Sequence, residues 1–143
     1  MANKSLIINS DLELKYKVQA LLLCIASEQT ADLTKKIKPF NLSLTQLQIL
    51  HNLSFAPEGK LTVNQIKSLM IDESPNVSRS LNKLMENGHI VKERNFDDQR
   101  VVHISITKSG RKVHIDADKA MIGSDLDLTE KELEQLYKLL VKI

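Results

Sequence analysis

The chain has 143 residues, of which 42% are hydrophobic and only 3% aromatic, so it is long enough for one domain with an aliphatic core. No apolar run approaches the roughly 18 residues of a membrane span, and the N-terminus lacks the pattern of a secretory signal. We therefore expect no membrane partner and a cytoplasmic location. The single cysteine, Cys24, excludes an internal disulfide and fits a reducing compartment.

The first quarter of the sequence predicts a long helix. Residues 1–9 form a short apolar arm, and Ser10-Asp11-Leu12-Glu13 has the spacing of a capping box. An apolar stripe then runs to Ile37, and Pro39 ends the helix. The stripe is broad enough to pack on two sides, which a second subunit would explain.

Two further capping boxes predict the next two helices, at Ser43-Leu44-Thr45-Gln46 and at Thr62-Val63-Asn64-Gln65. A turn signal separates them, and a tight break follows the second. The next helix starts near Ser74, so two short helices lie close together in sequence. This arrangement fits helix-turn-helix geometry.

The helix between Ser74 and Gly88 is expected to have two different faces. Ser74 can cap its first amides, and Gly88 supplies the turn out. An apolar face is predicted from the i, i+4, i+7 spacing of Val77, Leu81 and Leu84. The opposite, polar face is predicted to carry Asn76, Arg79, Ser80 and Lys83. Amide, hydroxyl and cationic groups of this kind suit base edges and phosphates.

Two strand-like segments, residues 90–94 and 101–106, follow and predict a charged hairpin. Thr107 leads into another helix, and the capping box at 129–132 opens a last helix with an apolar stripe that reaches Ile143. The predicted fold is mainly α with a small β-hairpin. It is a winged helix-turn-helix flanked by N- and C-terminal dimerisation helices, and two copies packed through these ends would form an intertwined homodimer.

The charge distribution supports a nucleic-acid partner more than the net charge of +2 does. Residues 60–112 hold ten Lys and Arg but six Asp and Glu, whereas the rest of the chain has a balance of −2. All four arginines lie between 79 and 111. The sequence therefore predicts an anion-binding face in the middle of the chain.

The run NVSRSLNKLMENGHIVKERN, followed by DDQR and then ISITKSG, resembles the MarR family of bacterial transcriptional regulators. The family hallmark, a wing Asp-x-Arg followed at fixed spacing by Thr-x-x-Gly, is matched by Asp98-Gln99-Arg100 and Thr107-Lys108-Ser109-Gly110. The resemblance covers almost the whole chain. It implies a single MarR-like domain over 1–143, with dimerisation helices at 1–38 and 108–143 and a winged helix-turn-helix at 43–107.

The resemblance also implies a homodimer that binds double-stranded DNA at palindromic operators and acts as a repressor. A small molecule of unknown identity is expected to release this dimer from the DNA. The positions that match the family's DNA-reading helix are Ser74, Asn76, Ser78, Arg79, Asn82 and Lys83. Arg100 matches the wing arginine that enters the minor groove, and Asp98 matches the acidic residue that positions it. Arg94 completes the expected DNA-binding set. The wing tip is shorter than in the commonest members of the family.

The sequence supports other functions less well. A winged-helix module that binds protein instead of DNA is disfavoured by the cationic helix face. Cys24 could serve a redox-sensing regulator, but no Lys, Arg or His lies within one helical turn, so an inert, buried cysteine is expected. No nucleophile–base motif or phosphate loop is present, so no enzyme is expected. No metal or cofactor is expected either, because no metal-binding spacing relates His51, His89, His103 and His114.

Overall fold

The structure is a computed structural model that describes residues 4–70, 76–94, 101–122 and 126–143. In chain order its elements are α1 (Lys4–Ile8), α2 (Leu14–Ile37), α3 (Leu44–Phe55), β1 (Lys60–Thr62), α4 (Val63–Ser68), α5 (Val77–Glu86), β2 (Ile90–Arg94), β3 (Val102–Ile106), α6 (Lys108–Met121) and α7 (Glu130–Leu140). The predicted winged helix-turn-helix with flanking helices is confirmed. None of the helices in these ranges is long and apolar enough to cross a membrane.

The N-terminal region differs from the prediction. Residues 4–8 form helix α1 instead of an arm, and α2 begins at Leu14 with Glu13 at its N-cap and no side-chain capping bond. The capping box predicted at Ser10 is therefore wrong. The Ser10 hydroxyl instead donates to the Ile7 carbonyl at 2.7 Å. This local bond to the backbone ends α1 and competes with a cap for α2.

The capping boxes at the starts of α3 and α4 are confirmed. The Ser43 hydroxyl accepts from the Gln46 amide at 3.2 Å, while the Gln46 side chain accepts from the Ser43 amide at 2.8 Å. Thr62 and Gln65 repeat the same pair of bonds. Each box satisfies two amides that a helix start leaves unpaired, so both helices begin where the sequence predicts.

The wing contains one more strand than the sequence predicted. Strand β1 pairs antiparallel with β3, which also pairs with β2, so the sheet order is β1-β3-β2. The hairpin was predicted from the alternating apolar residues of β3. Strand β1 has three residues and runs directly into the Thr62 cap of α4, so it shows no periodic signal of its own.

The core lies between α3, α5 and the sheet. Val77, Leu81 and Leu84 on α5 are buried as predicted, with Leu84 fully inaccessible. Ser80 is also buried, so its placement on the outer face was wrong. It lies three residues after Val77 and four before Leu84, which puts it at the edge of the apolar face. The burial of these side chains fixes the rotation of α5 about its own axis.

The Thr107-x-x-Gly110 motif joins the end of α5 to the start of α6. The Thr107 hydroxyl donates to the Gly88 carbonyl at 2.7 Å and accepts from the Gly110 amide at 3.0 Å. The Thr107 amide donates to the His89 carbonyl at 3.0 Å. Gly110 is required because a Cβ at this position would collide with the same His89 carbonyl. The motif is therefore a structural clasp.

The C-terminal helix α7 carries a capping box at Thr129 and Glu132, as predicted. The hydrogen bonds from Thr129 to the Glu132 carboxylate lower the pKa of that carboxyl. None of the residues of α7 is buried, although Tyr137 and Leu140 are large and apolar. The helix therefore presents an uncovered apolar stripe.

We predict that Gly110→Ala destabilises the protein by about 1–3 kcal/mol, the range for forcing extra atoms into a packed site. The added Cβ must displace the backbone at His89. The measurement is the free energy of unfolding from a denaturant titration. Lys108→Ala is the control, because it shortens an exposed side chain in the first turn of the same helix and leaves the contact with His89 unchanged. A Gly110→Ala variant as stable as the wild type would contradict the clasp.

Candidate nucleic-acid interface

The outer face of α5 brings together most of the residues that were predicted to bind DNA. The buried side chains of α5 point inward, so the intervening positions point to solvent. The exposed positions are Asn76, Ser78, Arg79, Asn82 and Lys83. Ser74, at the predicted start of this helix, lies outside the described residues, and the helix begins at Val77 with Asn76 at its N-cap.

A shallow groove runs between this face and the start of α3. Asn76, Arg79 and Lys83 line its α5 side. Its α3 side is lined by Ser43, Thr45 and Gln46, three residues that the sequence analysis did not assign to the interface. The capping box at Ser43 was the available signal, because a helix N-terminus offers amide donors and a partial positive charge to an anion.

A second depression adjoins the first and shares Lys83 with it. Its lining includes Lys38 and the amide side chains of Asn41 and Asn87. Asn41 adopts a left-handed backbone conformation, with φ of 55°, where the chain turns from α2 into α3. The cations of Lys38 and Lys83 and the amides of Asn41 and Asn87 thus lie beside the exposed face of α5, in positions suited to phosphate contacts.

Arg94 is exposed but belongs to a different surface. It lies at the end of β2 and lines a groove with Lys60 of β1 and His103 of β3. Lys60 forms an ion pair with Glu93 at 3.3 Å, which reduces the positive charge of that groove. The two wing-tip residues predicted to bind DNA, Asp98 and Arg100, lie outside the described residues.

His89 and Cys24 lie outside the α5 face: His89 follows the end of α5, and Cys24 is on α2. Burial lowers the pKa of His89, so this side chain is neutral at pH 7 and adds no positive charge where α5 ends. One of its ring nitrogens is 3.1 Å from the Ser109 hydroxyl. The sequence predicts that Cys24 is buried, but in the single chain it is only half-buried.

The fold and this surface define the chain as a winged-helix transcriptional regulator. The sequence family described as transcriptional regulator SarA/Rot matches residues 32–117, more than half of the chain. The chain therefore belongs to this SarA/Rot family. The matched region extends from the end of α2 into α6 and includes the whole wing and α5. The family and the fold are those of transcriptional regulators, which are generally not enzymes.

Solved structures of MarR-type regulators share the fold and confirm that resemblance. A MarR-like regulator from Bacillus cereus is 19% identical, with a TM-score of 0.78 over 90% of this chain and 94% of its own. Sco3205 from Streptomyces coelicolor, solved in complex with DNA, is 18% identical, with a TM-score of 0.72 over 92% and 87%. The organohalide-sensing regulator RdhR, solved with 2,4-dichlorophenol, is 22% identical, with a TM-score of 0.76 over 92% and 80%.

We predict different effects for the two cations of α5. Arg79→Ala should weaken binding to a preferred duplex by about 1–3 kcal/mol and relax sequence preference, because arginine can pair bidentately with guanine. Lys83→Ala should weaken all duplexes alike and reduce the slope of log affinity against log salt by about 1. The measurement is fluorescence anisotropy over a salt series.

The control for both variants is Lys131→Ala, which removes an exposed cation of α7 far along the chain from α5. It should leave affinity and salt slope unchanged. Equal affinities for Arg79→Ala, Lys83→Ala and wild-type protein would remove the α5 face from the interface.

Proposed function

We propose that this protein is a homodimeric, sequence-specific DNA-binding regulator that represses transcription at palindromic operators in the cytoplasm. The observation that carries the proposal is the outer face of α5, where five exposed polar and cationic side chains lie opposite three buried apolar ones. An α-helix fits the major groove of B-DNA, where amide and guanidinium groups distinguish the base pairs. Sco3205, a regulator with the same fold, was solved in complex with DNA.

We propose that some of these groups contact bases and others contact phosphates. Arg79 suits guanine, and Asn76 or Asn82 suits adenine. Lys83 and Lys38, which border the adjoining depression, suit phosphates. The N-terminus of α3 adds amide donors next to the same groove. A cationic and amide surface of this kind disfavours the alternative of a protein-binding winged helix, for which acidic or apolar recognition faces are typical.

The wing is proposed to make the remaining contacts. The family resemblance assigns Arg100 to the minor groove and makes Asp98 the residue that positions it. It matches Ser74 to a position on the DNA-reading helix. An arginine in a narrow minor groove reads local shape through the enhanced negative potential there. Arg94, at the base of the wing, would strengthen attraction to the flanking phosphates.

Homodimerisation is proposed from the uncovered apolar surfaces at both ends of the chain. Large apolar side chains are exposed on α1, α2 and α7, including Leu14, Leu23 and Tyr137. Only Ile37 is buried among the residues of α2, and none is buried on α7. Apolar surface of this extent marks an association site. We therefore assign residues 1–38 and 108–143 to dimerisation and 43–107 to DNA binding within one domain.

A small-molecule effector is proposed as the signal that releases the operator. RdhR, which shares the fold, was solved with 2,4-dichlorophenol bound. A ligand that binds better to one arrangement of the two winged units than to the other would shift the dimer between DNA-binding and released states. We propose that the exposed apolar surfaces of α2 and α7 would contribute to the site of such a ligand in a dimer.

We predict that Leu140→Glu converts a dimer into a monomer and abolishes tight binding to a palindrome. Two linked half-sites bind far more tightly than one, because the second contact is intramolecular. Sedimentation should give the wild type twice the chain mass of 16.2 kDa and the variant the mass of one chain. Lys138→Glu, on the same helix, is the control and should remain dimeric. A wild-type protein that is monomeric at micromolar concentration would contradict the proposal.

A further inference from the structure

Two histidines and one aspartate that are distant in sequence meet between α3 and α6. His114 Nε2 lies 3.2 Å from His51 Nδ1 and 3.1 Å from Asp118 Oδ2. His51 Nδ1 lies 3.9 Å from the same Asp118 oxygen. Three potential metal-binding atoms therefore face one another at the corners of a small triangle.

The two helices place these groups by simple geometry. His114 and Asp118 are four residues apart on α6, so their side chains share one helix face. His51 extends from α3, which packs against α6 through the core. The three side chains differ in exposure: His114 is 6% exposed, Asp118 is 33% exposed and His51 is 52% exposed. A metal ion could thus reach the triangle from solvent and find one buried ligand.

The groups around the triangle orient it. The second ring nitrogen of His114, Nδ1, is 3.3 Å from the Ser54 hydroxyl. Metal-binding histidines commonly use their other ring nitrogen in such a bond, which fixes the tautomer and the ring orientation. Phe55 packs on His51 with ring centroids 4.7 Å apart and meets His114 edge-on at 6.4 Å. Its ring supplies an apolar wall on one side.

We propose that His51, His114 and Asp118 bind a divalent transition-metal ion of the zinc class through His51 Nδ1, His114 Nε2 and an Asp118 carboxylate oxygen. Zinc bonds to imidazole nitrogen and carboxylate oxygen are about 2.0–2.2 Å long and tetrahedral, so two ligand atoms of one ion lie roughly 3.3 Å apart. The three separations in the structure, 3.1, 3.2 and 3.9 Å, are close to this value. The fourth position belongs to water.

The environment of His114 supports this chemistry. A histidine binds a metal ion only as the neutral imidazole. Desolvation by burial lowers the pKa of His114, Asp118 opposes that effect, and the nearby charges of His51 and Arg111 add to the lowering. The lowered pKa favours the neutral imidazole that a metal ion requires.

The same three groups can also form a hydrogen-bond network without metal. The His114 Nε2–H would donate to Asp118, and the Ser54 hydroxyl would donate to His114 Nδ1. That network satisfies the buried ring, and His114 Nε2–H can share its proton with His51 Nδ1, which lies 3.2 Å away. A metal ion would use all three groups at once. The metal site predicts binding of one ion per chain, whereas the hydrogen-bond network predicts none.

A bound ion would connect two functional parts of the molecule. Helix α3 packs against α5 and lies beside the α5 groove, and α6 follows the wing strand β3. An ion held by both helices would fix their mutual position and stabilise the folded state, because it binds the native arrangement and not the unfolded chain. The inference does not depend on the proposed operator binding.

The test uses the full chain without a histidine tag, stripped with EDTA and dialysed. Zinc binding is measured by competition with a chromophoric chelator, and Co(II) serves as a spectroscopic probe of tetrahedral coordination. The wild type should bind one ion per chain and gain thermal stability with zinc. His51→Ala and Asp118→Asn, both at partly exposed positions, should lose at least about tenfold in affinity and lose the zinc-dependent rise in melting temperature.

Two control variants complete the test. His103→Ala removes a histidine of β3 outside the triangle and should bind zinc as the wild type does. Cys24→Ser should do the same, since the proposed site contains no thiolate. The proposal is overturned if the wild type binds no stoichiometric zinc, if His51→Ala and Asp118→Asn bind it with unchanged affinity, or if Cys24→Ser abolishes binding.

Discussion

The burial of Val77, Leu81 and Leu84 is the constraint on which the rest of the structure depends. These three side chains fix the rotation of α5, so that Asn76, Arg79 and Lys83 can only point outward. Burying each such side chain contributes about 1.5–3 kcal/mol, which offsets the conformational entropy that is lost when the backbone of α5 is ordered. The chemistry of the outer face thus follows from the packing of the inner one.

Local patterns explain why much of the fold could be predicted from the sequence. The capping boxes of Ser43, Thr62 and Thr129 involve partners three residues apart, and the apolar face of α5 repeats within two turns. These interactions are formed within one element, so the order of residues reveals them. The exposed set on α5 could be predicted for the same reason, apart from Ser80, which lies at the edge of the apolar face and is buried.

Contacts between distant segments could not be predicted in this way. Strand β1 has three residues and is defined only by its pairing with β3. One local bond could not be predicted either. The Ser10 hydroxyl donates to the Ile7 carbonyl of the preceding turn instead of capping the following helix, and the sequence does not decide between these two bonds. The meeting of His51 with His114 joins positions 63 residues apart, which no spacing rule addresses. The capping box at Ser43 marks the start of α3 in the sequence, but the position of that helix end beside α5 depends on the packing of the two helices.

The clasp at Thr107 and the contact between α3 and α6 give the recognition surface two supports. One holds the end of α5 to the wing and α6, and the other holds the helix that lies beside α5. We propose that this supported α5 face reads DNA as one half of a dimer. Selection of bound duplexes from a random pool tests it most directly. The account predicts an enriched palindrome whose half-sites are centred about one helical turn apart. Enrichment of no sequence, or of a single half-site without a symmetric partner, would contradict it.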